Sequence, residues 1–290
     1  MSDRNSRVAI IGLGAMGLPM AINLAKAGVA TEAWNRSAGA RTLAAAAGVA
    51  IVESLENIDA KFVLTILPDL KQVEEVLAAG LRSVLKPKDV LVVMGTVSPV
   101  GIQKLGEELA AYQIELLDAP VSGGIEGAAA ATLSIMVGGK PEVLAEVKPY
   151  FEKIGTTIRF LGPLGSGEMA KACNQIIVAA TLTAIAEAVT LGRRAGLDTT
   201  TLLDILIGGY ANSTVLETKR ERIESKNYER GGSAQHQLKD LRIALEAGLA
   251  NGVALPITTE VTKLFAALVE AGEGELDHSA IFKEIERRSR

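Results

Sequence analysis

The first half of the chain alternates short, mostly apolar runs with longer stretches whose apolar positions recur every three or four residues. Residues 7–11 form the first run, Met16 to Ala27 follows with helical spacing and a stop at Gly28, and a second run covers Thr31 to Trp34. Apolar runs of this length suit strands buried on both faces, and the interval between them is that of a βαβ unit. The same alternation returns at Phe62 to Leu67, Val90 to Met94, Ile114 to Leu117 and Ser134 to Val137, with helical segments such as Leu70 to Ala79 and Gly101 to Tyr112 between them. It predicts an α/β domain built on a mostly parallel, doubly wound sheet.

The pattern changes at Gly162-Pro163-Leu164-Gly165-Ser166-Gly167. Glu168 to Ala195 reads as one long helix of small and apolar residues. Beyond it come further helices punctuated by Gly208-Gly209, Gly231-Gly232, Gly252 and Gly272, with no return of strand alternation. We therefore expect two domains, 1–164 doubly wound and 165–290 all-α, joined through a long interdomain helix, with Gly165 and Gly167 as a hinge. Around Ala179, Ala180 and Ala184 that helix is apolar on more than one face, which suggests a domain or subunit contact.

Composition narrows the classes. The chain is 48% hydrophobic but only 3% aromatic, which favours aliphatic helices on a sheet over a β-sandwich. A net charge of -4 without basic clusters excludes nucleic acid as an expected partner. The start carries no leader pattern, and the apolar stretch Ile176 to Ala186 reads as too short to span a bilayer, so a cytoplasmic protein without a membrane partner is expected. Cys173 is the single cysteine, and His236 and His278 lie far apart, so neither a disulfide nor a metal site is expected.

The segment Gly12-Leu13-Gly14-Ala15-Met16-Gly17 follows a strand and opens a helix, the context in which a GxGxxG motif holds a dinucleotide in a Rossmann domain. Gly12 permits the tight turn, Gly14 lets backbone amides approach a pyrophosphate, and Gly17 allows the helix to pack closely on the strand. After the second strand an acid usually receives the ribose 2′-hydroxyl of NAD. Here Asn35 removes that charge, while Arg36 and Ser37 supply donors for a 2′-phosphate, so NADP(H) is expected in preference to NAD(H).

Lys171 and Asn174 stand three residues apart in the long helix and so share one face. An ammonium there either reaches the surface along its stem or enters a cleft, where it could protonate a carbonyl oxygen as hydride arrives. Ser122-Gly123-Gly124 follow a strand end, where ligands gather in doubly wound sheets, and the glycines can turn backbone N–H groups toward an anion.

Four segments in order, GLGAMGLPMAINLAKAG, DAPVSGG, GSGEMAKACNQ and LKDL, resemble the signatures of the β-hydroxyacid dehydrogenase family, to which 3-hydroxyisobutyrate dehydrogenase belongs. ANSTVLETK and GELDHSA are most similar to its tartronate semialdehyde (2-hydroxy-3-oxopropionate) reductase branch. The resemblance implies that Lys171 is the acid/base and that Asn174 contacts substrate or orients the lysine. It assigns Ser122, Gly123 and Gly124 to the substrate carboxylate, Thr96 to the nicotinamide side and Leu67-Pro68 to the adenosine half. Lys239 of LKDL would close over the cofactor, although its local sequence equally suits a solvated helix lysine. The resemblance, together with the apolar long helix, also implies a homodimer or homotetramer.

The implied reaction is NADPH-dependent reduction of a short 3-oxo acid, tartronate semialdehyde to D-glycerate. Alternatives are 3-hydroxyisobutyrate dehydrogenation, reduction of succinic semialdehyde or sulfolactaldehyde, and a nucleotide-sensing protein without turnover. Lys171 argues against the imine reductases, which carry another residue at that position. Departures from the family pattern fall at Val93-Met94-Gly95-Thr96, and at Gly232 and His236, where bulkier and apolar residues are expected; the latter pair suggests a larger or more polar pocket.

Overall fold

A computed structural model describes residues 3–229 and 231–289. The chain divides into two compact units, the first running to Lys171 and the second beginning at Ala172.

The first unit opens with β1 (Val8–Ile11), α1 (Gly17–Lys26), β2 (Thr31–Trp34), α2 (Ala38–Ala46), β3 (Ala50–Ile51) and β4 (Phe62–Thr65). It continues through α3 (Leu70–Val76), α4 (Arg82–Val84), β5 (Val90–Val93), α5 (Pro99–Ala110), β6 (Glu115–Asp118) and β7 (Val121–Ser122). Then come α6 (Gly124–Ala130), β8 (Leu133–Gly138), α7 (Pro141–Phe151), β9 (Gly155–Gly162) and the start of α8 (Ser166–Arg194).

The sheet runs β3-β2-β1-β4-β5-β6-β8-β7, with β9 on the other side of β8. Strands β1 to β6 are parallel, while β8 is antiparallel to both β6 and β7. The apolar runs are buried on both faces with a period of two. Val8, Ile10, Phe62, Leu64, Val90 and Val92 join the core that includes Met20, Leu24, Val143 and Phe151. Ala9, Ile11, Val63, Leu91 and Val93 join a second core with Val73, Leu77, Ile102 and Leu105.

This is the expected Rossmann-type sheet, enlarged at one side. The sequence did not announce β3, β7 or β9. In β9 the pattern is uninformative because Phe160 and Leu161 are exposed at the sheet edge, so neither alternation nor a continuous buried run appears.

The second unit is helical: the remainder of α8, then α9 (Thr199–Ile207), α10 (Thr214–Ser225), α11 (Ala234–Ala250), α12 (Pro256–Leu268) and α13 (Ile281–Arg288). Its core joins Leu182, Ala186 and Val189 of α8 to Leu203, Leu216, Leu241, Phe265 and Phe282. Helix α8 is long and apolar enough to cross a membrane by length and composition, which corrects the expectation drawn from Ile176 to Ala186 alone. Half of that apolar window is nonetheless buried inside the protein, as in a core helix.

Candidate active site

In the first unit the predicted residues ahead of Lys171 follow the carboxyl ends of neighbouring strands. Gly12 has φ +101°, and a Cβ there would lie 2.5 Å from the Ile66 carbonyl oxygen. A Cβ on Gly17 would lie 1.9 Å from the Gly12 carbonyl oxygen. Both glycines are therefore required by the protein's own packing. Gly14 differs, because a Cβ there would meet nothing within 4 Å. Its bareness serves no intramolecular contact and leaves a backbone surface open to a ligand, with Gly14 and Ala15 exposed and Leu13 and Gly17 buried beneath.

Asn35 fixes this loop to the end of β2. Its side-chain oxygen accepts from the Leu13 N–H at 2.9 Å, and its Nδ2 donates to Ser37 Oγ at 2.8 Å. The Ser37 hydroxyl keeps its own hydrogen for a further acceptor. Arg36 and Ser37 are exposed, and among the described residues Arg36 makes no ion pair.

Leu67 links two further parts of this edge. A Cβ on Gly95 would lie 1.9 Å from the Leu67 carbonyl oxygen, and one on Gly12 would lie 3.0 Å from Leu67 Cδ2. Leu67-Pro68 is thus packed against both the glycine loop and the segment that carries Thr96. Gly95 is required by this packing, since any side chain would collide with that backbone.

Beyond β6 the chain turns through Ser122-Gly123-Gly124, with φ +132° at Gly123 and +66° at Gly124. Ser122 pairs with Ser134 of β8, and Gly123 accepts from the Gly127 N–H at 2.9 Å as α6 begins. Ser122 is half-buried and the two glycines are exposed.

The start of α8 is fastened to this edge by two buried acids. Asp118 ends β6 and is fully buried; its Oδ1 accepts from the Gly165 N–H at 2.8 Å and its Oδ2 from the Glu168 N–H at 2.7 Å. Burial raises the Asp118 pKa above the usual carboxylate value, and the backbone N–H bonds offset this only in part. Glu168, also fully buried, accepts from the Val97 N–H at 3.0 Å, one residue beyond Thr96. Lys171 follows three residues later on the same helix face and is 8% exposed.

The two glycines expected at a hinge have packing roles here. Gly165 has φ +93°, and a Cβ on Gly167 would lie 2.3 Å from the Met136 carbonyl oxygen. Glycine at these positions permits a turn and a close approach.

In the second unit, Asn174 Nδ2 donates to Gln175 Oε1 at 2.9 Å, and Gln175 Nε2 donates to Asp240 Oδ2 at 2.6 Å. Lys239 forms an ion pair with Asp240 Oδ1 at 2.8 Å. Two predicted residues from different helices are thereby joined through Gln175 and Asp240, neither of which sequence reasoning singled out.

Beside them on α11, buried Gln237 meets His278 Nδ1 at 3.1 Å through its side-chain oxygen. Burial and the Lys219 ammonium lower the His278 pKa to about 4, against the opposing influence of Asp277 and Asp240. Asp277, fully buried, binds Lys219 Nζ at 2.8 Å and accepts from the Ser279 hydroxyl at 2.5 Å. Burial tends to raise its pKa, but His278, Lys219 and Ser279 outweigh that and hold it low. His236 is exposed and Gly232 has open space around its Cα, so the buried polar residue of this helix start is Gln237. No cluster of three or more metal-ligating side chains occurs among the described residues.

Residues 7–162 match the NAD binding domain of 6-phosphogluconate dehydrogenase, and residues 165–285 match the NAD-binding domain of NADP-dependent 3-hydroxyisobutyrate dehydrogenase. The chain belongs to the 3-hydroxyisobutyrate dehydrogenase family. As such it is an NAD(P)-dependent β-hydroxyacid dehydrogenase, an oxidoreductase acting on CH–OH groups.

Among its relatives, the 2-hydroxy-3-oxopropionate reductase of Escherichia coli K12 is 37% identical, over 97% of each chain. The 2-(hydroxymethyl)glutarate dehydrogenase of Eubacterium barkeri is 36% identical, over 97% of this chain and 95% of its own. A solved structure of Mycobacterium tuberculosis 3-hydroxyisobutyrate dehydrogenase with L-serine superposes with a TM-score of 0.85 at 31% identity, over 96% of this chain and 98% of that one.

The residues that sequence reasoning missed in this dehydrogenase are those that hold the predicted ones: Asp118, Glu168, Gln175 and Asp240. Each lies inside or next to a quoted motif, so the signal available was an acid or amide within an otherwise apolar or glycine-rich segment.

Proposed function

We propose that this dehydrogenase uses NADPH to reduce 2-hydroxy-3-oxopropionate, tartronate semialdehyde, to D-glycerate. The observation that carries the reading is the fastening of the first turn of α8 by Asp118 and Glu168 to the loops after β6 and β5, one turn before Lys171. It supports a lysine held where substrate and nicotinamide would meet.

The residues present fit a dinucleotide: Gly12 and Gly17 shape the turn, and Gly14 leaves its backbone bare. In this reading Leu13, Ala15 and Met16 complete the loop against the pyrophosphate, while Leu67, Pro68 and Thr96 border the cofactor. Asn35 holds the loop without bringing a negative charge, and exposed Arg36 and Ser37 receive the 2′-phosphate. In the same reading Lys239 is a further cofactor-binding residue.

Bound NADPH supplies the hydride. The Lys171 ammonium donates its proton to the aldehyde oxygen, which prevents an alkoxide from accumulating. The Ser122 hydroxyl and the N–H groups of Gly123 and Gly124 hold the substrate carboxylate, and Asn174 orients the reacting end. The substrate class draws on the relatives: 2-hydroxy-3-oxopropionate, 2-(hydroxymethyl)glutarate, 3-hydroxyisobutyrate and L-serine all carry a one-carbon alcohol or aldehyde beside the carbon that bears a carboxylate.

The test is NADPH oxidation with tartronate semialdehyde and methylmalonate semialdehyde side by side. Preference for the first, with kcat lowered about a thousandfold by Lys171→Ala, supports both substrate and proton donor. Preference for the second transfers the protein to 3-hydroxyisobutyrate chemistry. On the cofactor, Arg36→Ala is expected to narrow the kcat/KM advantage of NADPH over NADH, and equal values for both in the unmutated enzyme defeat the NADPH assignment.

A further inference from the structure

The polar chain in the second unit has a direction. Asp240 is 7% exposed and can only accept when ionised, so its two oxygens dictate what faces them: the Lys239 ammonium at 2.8 Å and the Gln175 amide NH2 at 2.6 Å. With its NH2 committed to Asp240, Gln175, 8% exposed, must present its oxygen on the other side, where the Asn174 NH2 donates to it at 2.9 Å. Asn174 is then left presenting its carbonyl oxygen. An Asn174 carboxamide rotated by half a turn would set its oxygen against the Gln175 oxygen, two acceptors with no hydrogen between them.

We infer that Asp240 is a positioning residue that holds Lys239 and, through Gln175, fixes Asn174 as a hydrogen-bond acceptor toward the reacting group. The inference rests on the reading of Lys239 and Asn174 given above. It adds the residues that set them and the polarity that Asn174 offers: its oxygen receives a hydrogen from a hydroxyl or ammonium, while one of its two N–H groups is committed to Gln175. Because one carboxylate serves both arms, the setting of the cofactor lysine and of the substrate amide becomes a shared property of α8 and α11.

The experiment compares the unmutated enzyme with Gln175→Met, Asp240→Asn and the double variant, with far-ultraviolet circular dichroism as the check on folding. Steady-state rates are measured with NADPH and tartronate semialdehyde. NADPH affinity is read separately from the fluorescence of Trp34, the single tryptophan, which directly precedes Asn35. Gln175→Met is expected to lower kcat about tenfold through loss of orientation at Asn174, leaving NADPH affinity unchanged. Asp240→Asn is expected to weaken NADPH binding about tenfold and to lower kcat as well. The double variant should be no worse in kcat than the single Asp240→Asn, because the two changes break one chain.

Asp240→Glu, which keeps both acceptor oxygens, should recover part of the affinity, and it stands in if Asp240→Asn does not fold. Independent, additive losses of kcat overturn the inference, as does a Gln175→Met enzyme with unmutated kinetics. If the unmutated protein turns over neither semialdehyde, the functional reading has failed. The Trp34 titration still decides the inference in that case: unchanged NADPH affinity in Asp240→Asn overturns it.

Discussion

Both units bury carboxylates, but they satisfy them by different means. In the first unit Asp118 and Glu168 receive backbone N–H groups from Gly165, Glu168 and Val97. In the second, Asp277 is met by the Lys219 ammonium and the Ser279 hydroxyl, and Asp240 by Lys239 and Gln175. An acid bonded to backbone fixes where chain segments lie, which is what a cofactor edge assembled from several loops requires. An acid bonded to side chains fixes how those side chains point, and its charge is answered by a cation. The pKa directions follow this division: burial prevails at Asp118, which is raised, whereas the charged and hydroxyl partners prevail at Asp277, which is lowered.

Neutralising the two acids should therefore have unequal consequences. Asp277→Asn leaves the Lys219 ammonium, 17% exposed, without its countercharge, and a loss of about 3 kcal/mol is expected in denaturant unfolding. A change below about 1 kcal/mol would break the comparison at its strongest point. His278, beside the same acid, gives the next effect. Its folded pKa of about 4 lies below the ordinary 6.5, so the folded state binds fewer protons. The stability tied to its neutral form is complete above pH 6.5 and is lost as pH falls toward 4, by roughly 3 kcal/mol in all. The measurement is the stability difference between the unmutated protein and His278→Gln at pH 7 and at pH 4.5. It should shift in favour of the variant at the lower pH.

Asp118 runs the other way. Its raised pKa means that the folded state holds the proton more tightly than the unfolded chain, so its contribution is present below pH 3.8 and is lost as pH rises through the folded value. Asp118→Asn removes an ionisation that burial opposes but turns one NH2 toward a backbone N–H. A net loss of about 1–2 kcal/mol is expected at pH 7, smaller than at Asp277. Equal losses at the two acids would mean that the kind of partner does not matter.

The division also explains what the sequence disclosed. Strands β1, β4 and β5 were legible as mostly apolar runs buried on both faces, β2 and β6 by their place between helical segments, and α8 because Glu168 to Arg194 holds no helix breaker other than Gly192. The glycine loop was legible because Gly12 and Gly17 answer steric demands that recur wherever a strand turns into a helix against a neighbouring loop. Strand β9 escaped because its exposure follows neither period, and Asp118 escaped because its partners are backbone groups nearly fifty residues away, which no side-chain pattern encodes. Lys239 and Asp240 were visible as letters of LKDL, but their connection to Asn174 depends on Gln175 crossing from α8 to α11.

The smallest expected effect on stability separates the fold's glycines from the ligand's. Gly17→Ala forces a Cβ to within 1.9 Å of the Gly12 carbonyl oxygen, so α1 must move away from the loop and stability should fall by more than about 2 kcal/mol. Gly14→Ala meets nothing within 4 Å, and its unfolding free energy should stay within about 0.5 kcal/mol of the unmutated protein. Its methyl nevertheless occupies the surface that the proposal gives to the pyrophosphate, so NADPH affinity measured by Trp34 fluorescence should fall by at least tenfold. A Gly14→Ala protein that is both as stable and as tightly binding as the unmutated one would show that this glycine serves neither packing nor cofactor. A destabilised one would show that the loop's open face is closed by contacts within the protein itself.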